Sequence, residues 1–135
     1  LGAGGAHAAT ICAASSSTFA LTHWGRDRPT GRMSVPALIN RLSRATALFM
    51  GLEDRGLLAP GYKADINVID FDRLSLHVPE VNYDLPGVGR RLVQRAEGYV
   101  ATIVSGVPVY KNGEATDALP GKLVRGDQTA AVTSN

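Results

Sequence analysis

One cysteine, Cys12, stands in 135 residues. No internal disulfide can form, so the fold must rest on packing and hydrogen bonds, and the usage fits a reducing, cytoplasmic setting. Aromatics are scarce at 6%, and the formal net charge is only +2. A nucleic-acid surface needs a basic stripe, often with stacking aromatics, whereas the cations here are scattered apart from local pairs such as Arg90-Arg91. Nucleic acid is therefore not an expected partner. No apolar run approaches the ~20 residues that cross a bilayer, so no membrane partner is expected either. The start lacks the basic stretch and apolar core of a signal peptide. It also lacks a methionine: Leu1 leads directly into Gly2-Ala3-Gly4-Gly5-Ala6-His7, an opening that suggests a truncated or incomplete chain.

What is present describes a globular domain. Hydrophobic residues make up 44% and charged residues 19%. Gly4-Gly5 favours a tight loop. Residues 15–24 carry Phe19, Leu21 and Trp24 after a serine-rich start, and Ser17 or Thr18 could cap a short helix there. Residues 25–32, with Pro29 and Gly31, read as an exposed loop. The clearest helix covers 34–50. Ser34 is its N-cap, Pro36 is tolerated in the first turn, and Gly51 follows as a C-cap. Val35, Leu38, Ile39, Leu42, Ala45, Thr46 and Phe49 form one stripe expected to be buried, with Asn40, Arg41 and Arg44 off it.

The period then changes. Gly56, Pro60 and Gly61 mark turns, and 65–70 reads as a strand. Residues 73–98 look irregular. Tyr99 to Val104 is a strand by its β-branched content, Ser105-Gly106 a turn, 107–110 a returning strand and Asn112-Gly113 a hairpin turn. The tail over 126–135 is small, polar and expected to fray. The order is loop, helix, β-rich half: an α+β pattern with a boundary between Gly51 and Pro60.

Three stretches carry a resemblance. Gly4-Gly5-Ala6-His7 is followed by Leu21-Thr22-His23-Trp24-Gly25-Arg26-Asp27-Arg28. Thr46-Ala47 and Gly51-Leu52 precede Arg55-Gly56-Leu57-Leu58-Ala59-Pro60-Gly61-Tyr62-Lys63-Ala64-Asp65 and the apolar run to Asp70. Val104-Ser105-Gly106-Val107-Pro108-Val109-Tyr110 ends in Lys111-Asn112-Gly113-Glu114. The second and third resemble the C-terminal signature of the amidohydrolase superfamily. The His-Trp-x-Arg-Asp-Arg run looks like its N-acyl-D-amino-acid deacylase branch. The resemblance implies that 1–51 is the end of a TIM-type (β/α) barrel, its last strand loop and closing helix. Residues 52–126 would be β-sandwich strands, and 127–135 a flexible tail. A whole barrel takes ~250 residues, so this chain cannot close one.

The resemblance also implies chemistry: amide hydrolysis by a water that a divalent metal, zinc, activates. A family Asp serves that water as base and the leaving amine as acid. Ala3 stands at its position in the Asp-x-Gly-Ala-His pattern, and alanine moves no proton, so no catalytic residue is assigned. His7, four residues on, is a candidate substrate-binding residue or a loop histidine bonding backbone. Arg26, with Arg28 beside it, is a candidate holder of a substrate carboxylate; the alternative is a solvated loop charge. His23 suits a structural place beside Trp24, and His77 the surface. The three histidines lack the close pair a zinc site needs, so no metal ligand is assigned and no bound zinc is expected on this chain alone. Cys12 reads as a small buried residue.

The expected function is thus the C-terminal part of a metal-dependent hydrolase of N-acyl-D-amino acids, inactive by itself. One rival is a cyclic-amidase or dihydroorotase-like branch. Another is a non-catalytic assembly module, which would self-associate or bind the remainder of the barrel through Leu38, Ile39 and Leu42.

Overall fold

The computed structural model describes residues 12–129, with side chains from Ser15 onward. These residues pack as two compact units that interleave along the chain. One comprises 12–32 and 71–98, the other 33–70 and 99–129. Ala3, His7 and the end of the tail lie outside the described residues.

In the first unit, helix α1 (Cys12–Phe19) runs into a π-helical segment, Ala20–Asp27. The short helix expected over 15–24 is therefore longer at both ends, and the exposed loop begins only at Arg28. At the junction Thr22 Oγ1 donates to the carbonyls of Thr18 (3.0 Å) and Phe19 (3.4 Å). A hydroxyl bonded back to the preceding turn competes with the backbone ladder and bends a helix. Thr18, Leu21 and Thr22 are buried, and Leu74 is fully enclosed.

The segment expected to be irregular, 73–98, is a correction. It holds β2 (Ser75–Leu76), β3 (Glu80–Leu85), β4 (Gly89–Val93) and β5 (Ala96–Glu97), β1 lying earlier at Ile66–Ile69. β2 pairs with β5, and β3 with β4, both antiparallel. Pro86-Gly87-Val88 forms the β3–β4 tip as a 3-10 turn, with Gly87 at φ 71°. The proline and glycine that suggested irregularity are the turn of a hairpin.

The second unit corrects the long helix. It breaks into α2 (Val35–Leu42) and α3 (Arg44–Phe49) at Ser43, whose φ/ψ of −125°/−81° is not helical. Ser43 Oγ donates to the Ile39 carbonyl at 2.6 Å, another back-bond. Ser34 caps α2 as expected, accepting from the Ala37 amide. The break changes which face is covered. Leu38 and Ala47 are buried, while Ala45, Thr46 and 87%-exposed Phe49 are not, so the continuous buried stripe is not formed.

The β-rich half follows the expected pattern. β1 (Ile66–Ile69), β6 (Tyr99–Val104), β7 (Val107–Lys111) and β8 (Glu114–Ala115) form one antiparallel sheet in that order. Ile66 opposes Ile103, and Val104 opposes Val107. Both connecting turns have two residues at positive φ, Ser105-Gly106 at 51° and 82° and Asn112-Gly113 at 49° and 83°. This is the geometry that matches the right-handed twist of a hairpin. The architecture is α+β, with helices and antiparallel strands. Among the described residues no helix is long and apolar enough to cross a membrane.

Candidate functional site

The residues singled out by the sequence fall in separate places. In the first unit, Arg26 faces the chain's own backbone. Its guanidinium donates to the carbonyls of Phe71, Asp72 (3.2 Å) and Leu74 (2.8 Å), and to both carboxylate oxygens of Asp27. It also lies over the Phe71 ring, 5.6 Å from the centroid. The hydrogen bond from Arg26 holds the Asp27 carboxyl below its ordinary range, and Asp27 in turn holds the guanidinium charged. A substrate carboxylate at Arg26 would have to share the guanidinium with these acceptors.

His23 stacks on Phe19 at 4.8 Å and meets Trp24 edge-on at 5.5 Å. Arg28 covers the other partner of that pair, its guanidinium 4.1 Å from the Trp24 ring centre. In the His-Trp-x-Arg-Asp-Arg run, His23, Trp24 and Arg28 thus form a chain of ring and cation contacts, while Arg26 and Asp27 form the clamp. His77 lies on the surface as expected, with Nε2 3.0 Å from Glu97 Oε1.

In the second unit the Gly51 to Asp65 stretch folds into a tied junction between α3 and β1. Arg44, expected only to lie off the apolar stripe, organises it. Its Nη1 donates to the carbonyls of Glu53 and Arg55, each at 3.0 Å. Its guanidinium rests 5.2 Å from the Tyr62 ring centre, and Nη2 reaches the Tyr62 hydroxyl at 3.4 Å. Gly56, at φ 79°, leaves no space for a side chain: a β-carbon there would stand 3.0 Å from Ala47 Cβ and from the Ser43 carbonyl. Lys63 N–H donates to the Asp54 carbonyl at 2.8 Å. Asp65 Oδ1 accepts from the Ser105 amide at 2.8 Å, fixing the β6–β7 turn. Nothing in the spacing of Arg44 announced its role, because its acceptors are carbonyls, which every residue carries.

Beside this junction, Arg55 and Asp54 form a paired fork, Nε–Oδ1 2.7 Å and Nη2–Oδ2 2.9 Å. The Arg55 bond draws the Asp54 carboxyl below the usual carboxylate range. Arg55 and Lys63 each also stand 4.0 Å from Asp65.

A metal needs three or more convergent His, Cys or carboxylate ligands. Among the described residues no such group exists. His23 is engaged by aromatic rings and His77 by one exposed glutamate, so these donors do not fit a metal centre.

A model of the amidohydrolase family matches residues 4–110 of the sequence. Among curated proteins, a dihydroorotase of Lactobacillus leichmannii is 37% identical over 90 residues, 65% of this chain. The chain spans 21% of the length of that relative. No solved structure matches.

Proposed function

The chain belongs to the amidohydrolase family, and from that premise we propose that it is the C-terminal portion of a hydrolase acting on amide-type carbon–nitrogen bonds outside peptides. The observation that carries this reading is the family match over 4–110, which spans the Arg26 clamp, the Gly51 to Asp65 junction and the hairpin after it. In this reading 1–51 completes a barrel and 52–126 a β-sandwich. The apolar side chains left on α2 and α3 support it. Ile39 and Leu42 are 43% and 42% exposed, and Met50, directly after α3, is 61% exposed. A surface of that kind on a fragment is covered by the rest of the barrel, or by a second copy.

For the substrate, the His23-Trp24 to Arg28 run favours N-acyl-D-amino acids. His7 is the substrate-facing residue, and Arg26 braces the π-helical segment that bears the run. Ala3 supplies no proton transfer. Any zinc of the whole enzyme draws its ligands from elsewhere, since the described residues do not provide a set. A second reading, a cyclic-amide hydrolase of dihydroorotase type, is favoured by the Lactobacillus leichmannii similarity.

Intact-mass measurement alongside the complete reading frame defines the molecule to assay. The product of that frame and the 135-residue chain are then each given N-acetyl-D-amino acids and dihydroorotate. Deacylation by the former and none by the latter is expected. Hydrolysis by the short chain alone overturns the fragment reading. Turnover of dihydroorotate without deacylation moves the substrate to the second reading.

A further inference from the structure

After β8 the described residues run on to 129 without helix or strand and are tied down at two points. Thr116 N–H donates to the Val109 carbonyl at 2.9 Å, and its hydroxyl to the Pro108 carbonyl at 2.8 Å. Twelve positions later Gln128 pairs with Leu52, its N–H donating to the Gly51 carbonyl at 2.9 Å and its carbonyl accepting from Glu53 N–H at 3.3 Å. Between these anchors the segment forms a strap that lines one side of a cleft of about 590 Å³. Small-molecule sites commonly fall in that size range.

Four cations line the cleft: Arg55 and Lys63 on the junction side, Lys122 and Arg125 on the strap. Among the described residues Asp54 is the only acid lining it, and its two oxygens are taken by Arg55. The lining therefore has three positive charges in excess. Asp65, 4.0 Å from both Arg55 and Lys63, offsets part of that on the junction side. On the strap, neither Lys122 nor Arg125 forms an ion pair with a described residue, although Asp117 and Asp127 lie on the same segment outside the lining. Cations lining one cleft repel each other, and an anion placed among them relieves that repulsion. Ser105 adds a hydroxyl, and Leu123 and Val124 add apolar wall.

We propose that this cleft binds a small multivalent oxyanion, phosphate or carboxylate in kind, between the Arg55–Lys63 side and the Lys122–Arg125 strap. Guanidinium and ammonium groups that line one cleft from two chain segments suit an anion with charged oxygens at two ends. The site is independent of the hydrolytic reading above, since it uses none of the residues assigned to substrate there.

Isothermal titration of the full chain with pyrophosphate and, separately, citrate at fixed ionic strength tests it. Saturable one-to-one binding of at least one anion is expected. Binding of pyrophosphate alone identifies phosphate as the chemistry, and binding of citrate alone identifies carboxylate. Arg125→Gln and Lys122→Gln should each weaken binding by about tenfold, the worth of a charge-assisted hydrogen bond. Both positions are exposed, so the fold tolerates the change, and unaltered circular dichroism checks it. Lys111→Gln, on β7 and outside the lining, should leave affinity unchanged. Failure of both anions to saturate overturns the proposal, and so does an equal loss in the Lys111 variant, which would mean diffuse charge attraction.

Discussion

Gly56 and Ala47 approach so closely that a β-carbon on the glycine would lie 3.0 Å from that of the alanine. Backbone is just as near, the Arg44 α-carbon and the Ser43 carbonyl each standing at 3.0 Å, and φ is 79°. Gly56→Ala therefore meets strain and overlap together, and the neighbours that would have to move are main chain. A loss of about 2–4 kcal/mol is expected, read as a lowered urea midpoint. Gly106→Ala is the control. Its φ is 82° but nothing lies within 4 Å, so only the left-handed penalty of about 1 kcal/mol applies. Equal losses in the two variants would show that the contact with Ala47 does not matter.

Arg44 holds the same junction from the other side, through two carbonyls and the Tyr62 ring. Removing it leaves the Glu53 and Arg55 carbonyls short of a partner. Arg44→Ala should cost about 2 kcal/mol in chemical denaturation. Arg44→Lys should recover less than half of that, because an ammonium does not span two carbonyls and a ring as a planar fork does. Full stability in the lysine variant would reduce the role of Arg44 to simple charge.

Which parts of this were legible in advance follows from how local the determinants are. The Ser105-Gly106 and Asn112-Gly113 turns and the Ser34 cap depend on neighbouring residues only, and all three stand where expected. The break at Ser43 was not legible: no glycine or proline marks it, and a serine back-bonding to Ile39 is invisible in an apolar periodicity. The β3–β4 hairpin carries a weak sequence signal because its strands alternate poorly, and Pro86-Gly87, the turn between them, equally suits irregular chain. Arg26 was noticed for its charge, while its partners, carbonyls 45 to 48 residues away, carry no sequence signal. Ala3 and His7 stand out only through the family resemblance.

Acid should weaken the second unit through Asp54. Its carboxyl is held below the ordinary range by the Arg55 hydrogen bond, so the folded form takes up its proton at lower pH than the unfolded chain. The stabilisation is complete above the unfolded carboxylate pKa and is lost as pH falls through the folded one, in a window that opens at the ordinary carboxylate range and extends below it. Urea midpoints measured across that window should fall less steeply for Asp54→Asn than for the parent chain. Parallel curves would mean that the Asp54–Arg55 pair contributes no acid sensitivity.

The Arg26 clamp gives the corresponding prediction for the first unit. One guanidinium joins the π-helical segment to the stretch leading into β2, with donors placed on Phe71, Asp72 and Leu74. Leu74, fully enclosed, sits at the end of that stretch. Arg26→Gln keeps an amide donor but loses the fork, the charge and the contact over Phe71. Hydrogen exchange should then quicken at the amides of β2 and of the π-helical segment, while those of β6 and β7 keep their protection. The charge partner behaves differently: Asp27→Asn leaves every carbonyl contact in place and should change exchange little. If Asp27→Asn loosens these amides as much as Arg26→Gln does, the exposed ion pair and not the carbonyl clamp holds the two segments together.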